Sequence, residues 1–207
     1  MFSSTLRVLV LATLVLQGLA ACSVSEIRPE SVSTVDWPER QALVSKIGQW
    51  DVSGRIALQT TDDAWSASIK WQQSRDSYDI QLFGPLGGKA LSIQGRENYI
   101  NLITDKGETF TASSAVDLIY RQTGWQIPVD GLRYWARALP MPEVPAEKIY
   151  DQAGRLSELR QSNWTIYYQD YRPIDNLLMP RKIRLESEHF TVKLILKDWQ
   201  LDTGSRG

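Results

Sequence analysis

The sequence predicts a mainly β fold: one antiparallel sheet of about eleven strands with about three short helices. Three observations predict it. Apolar and polar residues alternate in segment after segment, so each strand buries one face only, which is the pattern of an antiparallel sheet. Compact polar breaks separate the segments. A helical period occurs in only three short stretches.

The domain opens at Trp37-Pro38. Leu43, Val44, Ile47 and Trp50 follow at helical spacing, with Arg40, Gln41 and Lys46 elsewhere, which predicts a helix over about 39–49. Strands come next. Ile56 and Leu58 share a face, as do Trp65, Ala67, Ile69 and Trp71, with Ser66, Ser68 and Lys70 opposite. Tyr78, Ile80 and Leu82 alternate with Asp79 and Gln81, and Ile100 and Leu102 flank Asn101. Turns are expected at Thr61-Asp62-Asp63, Gly95-Arg96-Glu97-Asn98 and Asp105-Lys106-Gly107. The period then changes. Ala115, Leu118 and Ile119 form one face of a helix over 114–122, with Ser114 and Asp117 as a capping-box variant and Gly124 at its stop. Pro128 suits the first turn of another helix, with Val129, Leu132, Trp135, Ala136 and Leu139 on one stripe and Pro140 and Pro142 ending it. From Ala146 strands resume: Trp164, Ile166 and Tyr168 alternate, then Ile183 and Leu185, then Phe190, Val192, Leu194 and Leu196.

Ahead of this domain, Arg7 precedes a short apolar run over 8–16, too short to span a bilayer, which needs ~20 residues. A basic residue, a short apolar stretch and small residues read as a signal peptide over 1–21. Leu19-Ala20-Ala21-Cys22 resembles the lipobox of bacterial lipoproteins. That resemblance implies cleavage before Cys22, a thioether-linked diacylglycerol on it and a third acyl chain on its amine. Stable anchoring takes at least two chains, so a triacylated cysteine suffices. Cys22 is the only cysteine, so no thiol remains for a disulfide. Ser23, rather than Asp, follows it, which by the sorting rule of enteric bacteria points to the outer membrane. The stretch 22–36, rich in Ser, Pro and Glu, reads as a flexible tether, and 37–207 as one domain.

Charge and composition exclude more than they identify. Lys and Arg number 23 against 24 Asp and Glu, and removing Arg7 with the leader takes the formal charge from -1 to -2. No basic block occurs along the chain, so nucleic acid is not an expected partner. Metal binding lacks Cys and a His pair. His189 is the only histidine and falls in an expected strand, opposite in face to Phe190 and Val192, where a surface position outweighs a catalytic one. No Gly-x-Ser-x-Gly occurs. Asp62-Asp63 suits a turn, and Glu186 with Glu188 suits pairing with neighbouring Arg and Lys. Gly84-Pro85-Leu86-Gly87-Gly88-Lys89 is one residue short of a phosphate loop, with Ala90 where Ser or Thr is required. No enzymatic activity and no cofactor are expected.

The width of the expected sheet bears on function. Eleven strands at ~4.8 Å spacing make a sheet ~50 Å wide, while three helices ~10 Å across cover ~30 Å of it. The apolar face is wider than its cover, so the sheet must curl on itself. With 8 Trp and 8 Tyr, its interior suits a solid core or an apolar cavity.

A set of short motifs narrows this. Trp50-x-x-x-Gly54-Arg55-Ile56-Ala57-Leu58, Trp65-x-Ala67-Ser68, Trp71-x-Gln73 and Phe83-Gly84-Pro85-Leu86-Gly87 occur in order. Thr123-Gly124-Trp125-x-Ile127-Pro128-Val129, Leu132-x-Tyr134-Trp135 and Ala138-Leu139-Pro140 follow. Gly154-Arg155-Leu156, Trp164-x-Ile166-x-Tyr168, Met179-Pro180 and Lys197-Asp198-Trp199 complete the series. Together they resemble the LolB family; Ala138 stands where Gly is commoner in that family. The resemblance implies an open antiparallel β-barrel of about eleven strands with an α-helical lid over an apolar cavity for acyl chains. The function implied is acceptance of acylated lipoproteins from a LolA-like periplasmic carrier and their insertion into the outer membrane. Expected partners are the carrier, client lipoproteins through their acyl chains, and outer-membrane lipid, with the protein itself a monomer. The resemblance gives the Pro85, Leu86, Gly87 loop a membrane-insertion role. The strand and helix faces put Ile56, Leu58, Trp65, Ile69, Trp71, Leu82, Leu118, Trp135 and Ile166 on the cavity wall. The alternatives are a non-transporting envelope lipoprotein that works as a protein-interaction module, and a lipid-modifying hydrolase.

Overall fold

The computed structural model describes residues 36–124 and 127–203. The leader, Cys22 and nearly all of the tether lie outside the described residues.

Eleven strands form one antiparallel sheet in the order β6-β5-β4-β3-β2-β1-β11-β10-β9-β8-β7. They are β1 (Gln49–Gln59), β2 (Ala64–Ser74), β3 (Ser77–Phe83), β4 (Lys89–Arg96), β5 (Tyr99–Thr104) and β6 (Thr109–Ala112), then β7 (Glu147–Tyr150), β8 (Leu156–Gln161), β9 (Trp164–Ile174), β10 (Leu177–Glu186) and β11 (Thr191–Asp202). Every neighbour is a sequence neighbour except β1 and β11, which join the two halves from Gln49 opposite Asp202 to Gln59 opposite Thr191. The edges β6 and β7 are consecutive in the chain and do not pair, so the sheet stays open. The segment between them carries α2 (Ala115–Thr123) and α3 (Val129–Trp135), whose apolar residues join the core on the sheet's inner face; α1 (Trp37–Ser45) packs on β10.

One apolar face runs through all the long strands. Val52, Ile56 and Leu58 of β1 meet Trp71, Ala67 and Trp65 of β2, and Ile69 and Trp71 meet Leu82 and Ile80 of β3. Gly54 faces inward where β11 crosses: a Cβ there would lie 2.0 Å from the Ile195 carbonyl oxygen. An inward glycine with backbone pressed against it marks a tight bend in a sheet, and here it lets the sheet curl.

The helices differ from expectation at their ends. α1 begins at Trp37, ends at Ser45, and buries Trp37, Arg40 and Val44, while Leu43 is 42% exposed. Pro38 sits in its first turn, and the chain leaves it early enough to put Trp50 on the inner face of β1. α2 matches expectation closely: the Asp117 N–H donates to Ser114 Oγ at 3.3 Å, and Gly124 takes a left-handed φ of 75° at its end. α3 stops at Trp135, ahead of the expected prolines, because Ala138 is left-handed with φ 54°. A residue with a Cβ there carries a cost that glycine avoids. Two turns are also displaced. Gly95 and Arg96 belong to β4, leaving Glu97 and Asn98 as the turn. Glu188 and His189 lie in the bend between β10 and β11 rather than in a strand; the Ser187 N–H donates to the Phe190 carbonyl at 2.9 Å and closes it.

Candidate functional site

The nine residues expected on a cavity wall do share one region. Ile56, Leu58, Ile69, Trp71 and Leu82 lie on the inner face of β1, β2 and β3, and Ile166 comes from β9. Leu118 reaches them from α2 and Trp135 from α3. Eight of the nine are buried in a single apolar cluster, and Trp65 packs half-buried at its end. A small pocket of 190 Å³ lies on the other side of the same strand ends, lined mainly by the outward-facing Ala57, Gln59, Ala64, Ser66, Thr191 and Lys193. A cleft of 980 Å³ lies elsewhere, at the opposite end of the strands, and is of mixed character, lined by Asp51, Gln72 and Asp202 together with Trp50, Tyr78 and Leu201.

The Pro85 loop is built from its backbone outward. The Gly87 N–H donates to the Gly84 carbonyl at 2.9 Å, closing a turn with Pro85 and Leu86 at its centre. Pro presets the first central position, and Gly87 supplies the left-handed φ of 81° that returns the chain. The Gly84 N–H then bonds Gly88 O at 2.9 Å and resumes the β3–β4 ladder. Leu86 is left 100% exposed, where no core contact reaches it.

Three polar side chains not expected in the interior tie the helices to the sheet and to one another. Gln161 is 4% exposed. Its Oε1 accepts from Trp135 Nε1 at 3.0 Å and from the Met141 N–H at 2.8 Å, and its Nε2 donates to Met141 O at 3.0 Å and Val144 O at 2.9 Å. Arg40 is 1% exposed; it donates to Leu178 O at 2.9 Å and Ala138 O at 3.3 Å, and its guanidinium stacks 4.7 Å from the Trp37 ring. Arg137 donates to Ile47 O at 2.9 Å and Val44 O at 3.3 Å, at the end of α1, where a cation is favourable. Burial lowers both guanidiniums to about 10, so both remain charged at neutral pH. The sequence did carry signals for two of them. Arg40 is three residues from Trp37 and four from Val44, the spacing of one helical face, and Gln161 is two from Leu159 on one strand face.

His189 sits on an exposed bend, its Nε2 3.9 Å from Glu188, and Glu186 pairs with Arg184 at 3.2 Å. Among the described residues no group of three or more His, Cys, Asp or Glu is placed to hold a metal, and no helix is long and apolar enough to cross a membrane. The lipidation expected at Cys22 lies outside the described residues.

Comparison with known proteins bears on this arrangement. A family model described as outer membrane lipoprotein LolB matches residues 48–199. The outer-membrane lipoprotein LolB of Nitrosococcus oceani is 36% identical over 195 residues, covering 93% of this chain and 96% of that protein. Its namesake from Cellvibrio japonicus is 35% identical over 197 residues, covering 92% and 95%. Among solved structures, a LolA superfamily protein from Nitrosomonas europaea shares the fold, with a TM-score of 0.53 at 11% identity over 81% of this chain and 94% of that one.

Proposed function

The chain belongs to the LolB family of outer-membrane lipoproteins, and from that premise we propose that it accepts acylated lipoproteins from a LolA-like periplasmic carrier and passes them to the outer membrane. Cys22 anchors it there by its acyl chains, 1–21 being the leader and 22–36 the tether. The client's acyl chains lie between the helices and the inner face, against Ile56, Leu58, Trp65, Ile69, Trp71, Leu82, Leu118, Trp135 and Ile166. No nucleotide and no covalent step is required. Each methylene is worth ~0.8 kcal/mol in an apolar site, so chains move toward the better apolar environment. The anchor raises the effective concentration of membrane around the site.

The observation that carries this reading is the complete exposure of Leu86 on a rigidly closed turn. A leucine gains ~1.5–3 kcal/mol on entering an apolar phase. That is too little to anchor a protein, and enough to hold one end of the sheet against a bilayer. Leu86→Glu is expected to keep the fold and the uptake of client from carrier, while slowing release into liposomes roughly tenfold or more. The assay follows a lipidated client from loaded carrier to this protein and then to vesicles. Unchanged release would refute the membrane role of the loop, and a melting temperature lowered by many degrees would show that Leu86 is structural.

A further inference from the structure

We propose that the outer face of the sheet across β10, β11, β1 and β2 is a second membrane-contact surface, one that takes anionic phospholipid headgroups and tilts the domain onto its flank. This deepens the transfer reading and rests on it, because it orients the end that carries Leu86.

The surface is assembled by register. Lys182 of β10 lies opposite Ile195, Ile195 opposite Arg55, Arg55 opposite Ser68, and Ser68 opposite Phe83 of the hairpin that presents Leu86. In the row nearer Leu86, Arg184 lies opposite Lys193, which faces Ala57. In the row farther away, Lys197 and Lys70 flank Ser53. Lys70 also stands 5.6 Å over the Phe83 ring and joins the patch to the hairpin. No block of these cations exists along the sequence; folding collects them.

Their pairing is unfavourable for the fold itself. Like charges directly opposite across strands destabilise a sheet, and Arg184 and Lys193 are so placed. Among the described residues, no ion pair engages Arg55, Lys70, Lys182, Lys193 or Lys197. Arg184 has Glu186 at 3.2 Å. Asp198, beside Lys197, accepts instead from Ser53 Oγ at 2.6 Å, and Asp170 is taken by Arg181 at 2.7 Å. Half-buried Phe83, Ala57 and Ile195 are interleaved with the cations. Apolar groups among lysines and arginines suit the headgroup boundary of a bilayer better than a purely polar acidic surface.

Position selects the tilt. Arg184 and Lys193 lie about 7 Å from the Leu86 end of their strands and Lys197 about 20 Å from it, so an upright domain would leave most of the patch off the membrane. An upright approach would also press the exposed carboxylates of Asp62, Asp63, Asp105 and Glu108, in the turns on either side of the Leu86 hairpin, against the lipid. Lying on the β10–β11–β1–β2 flank turns those carboxylates aside, brings Arg55, Lys70, Lys182, Arg184, Lys193 and Lys197 to the lipid in excess over the flank's own Asp51, Asp198 and Glu186, and keeps the Leu86 hairpin at the surface.

The test uses the full-length lipoprotein reconstituted into vesicles of phosphatidylethanolamine, with and without phosphatidylglycerol. Lysine exposure is read by amine labelling and mass spectrometry. Lys182, Lys193 and Lys197 should be protected at least about threefold in the anionic vesicles, with Lys46 and Lys148 unchanged and the protection lost at high salt. The triple variant Lys182→Glu, Lys193→Glu, Lys197→Glu, its fold checked by circular dichroism, should slow client delivery to anionic vesicles at least about tenfold and leave delivery to neutral vesicles unchanged. Equal labelling in both vesicles overturns the surface. So does protection that appears only when carrier is added, which would make the occupant an acidic protein. Failure of the unsubstituted protein to deliver client to either vesicle, with the footprint intact, overturns the transfer function and not this surface.

Discussion

Replacing Gln161 with Leu removes the amide that ties α3 to the sheet and leaves the side-chain volume nearly unchanged, so no cavity term enters. The cost can be worked from its bonds. Trp135 is 0% exposed and its Nε1 donates to Gln161 at 3.0 Å. The half-buried Met141 N–H donates to the same oxygen at 2.8 Å. A buried donor left without an acceptor costs about 1–3 kcal/mol. The fully buried indole belongs in the middle of that range and the half-buried amide at its low end; the carbonyls of Met141 and Val144 are nearer solvent and add little. The sum is about 3 kcal/mol, reduced somewhat by the apolar area of the leucine. Against a total stability of about 5–15 kcal/mol this is a large fraction. Urea denaturation of the Gln161→Leu variant should therefore show a loss of about 2–3 kcal/mol with an unchanged slope, and a melting temperature lower by about 4–12 °C. A loss under about 1 kcal/mol would instead mean that Trp135 and Met141 find other partners at no cost and that Gln161 is no clamp.

Alkaline pH should test the buried phenols. Burial raises Tyr78 to about 12 and raises Tyr168 and Tyr171 as well, so their stabilisation is whole below the unfolded value of about 10 and is lost as pH climbs above it. Arg40 and Arg137, lowered by burial, act in the opposite sense; three phenols against two guanidiniums leave a net fall, and a urea midpoint that rises between about pH 10 and 12 would contradict it. Separately, a Cys22→Ala chain should leave the membrane fraction, keep its β-type circular dichroism, and bind a lipidated peptide with about micromolar affinity, near -8 kcal/mol. Loss of the β signal would make Cys22 structural, and absence of any acyl binding would mean that the inner face is a solid core.

What the sequence disclosed and what it hid divide along a physical line. Strand faces were legible because alternation has a period of two and needs no partner: Trp65, Ala67, Ile69 and Trp71 point one way whatever lies beside them. Leu86 was legible because Pro85 and Gly87 fix the turn locally. Arg40 was misread because a charged residue between apolar ones is assigned to solvent by type, although its spacing from Trp37 and Val44 put it inside. His189 is at the surface as its position implied, but in a bend, because Phe190 was counted into a strand that begins only at Thr191. The basic outer face was not legible at all. Its members come from four strands, and only the β1–β11 pairing of the two ends of the domain brings Arg55 beside Ile195 and Lys182.

The distribution of bond types then bears on how a protein without an energy source could release what it holds. The directional bonds lie at the ends of the interior: Arg40 and Arg137 fasten α1 and the turn after α3, and Gln161 fastens α3 and the Met141 segment to β8. Between them lie aliphatic side chains that can offer apolar contact only, Ile56, Ile69, Leu82, Leu118 and Ile166, with the Tyr168 hydroxyl donating to the Trp135 carbonyl at 3.0 Å beside them. Apolar contacts are non-directional and proportional to area, so an acyl chain sliding between helix and sheet exchanges one set for another at little net change. Breaking a buried hydrogen bond would instead cost its full desolvation. If acyl chains enter there, a lining whose aliphatic members make no polar bonds keeps the difference between loaded and empty states small while the clamps preserve the fold in both. On this reading, a substitution that brings a hydrogen-bonding group into the middle of the interior damages transfer more than one that merely shortens an apolar side chain. Leu118→Asn should therefore impair client uptake more than Leu118→Ala, and equal impairment by the two would show that loss of area, not polarity, is what the site cannot tolerate.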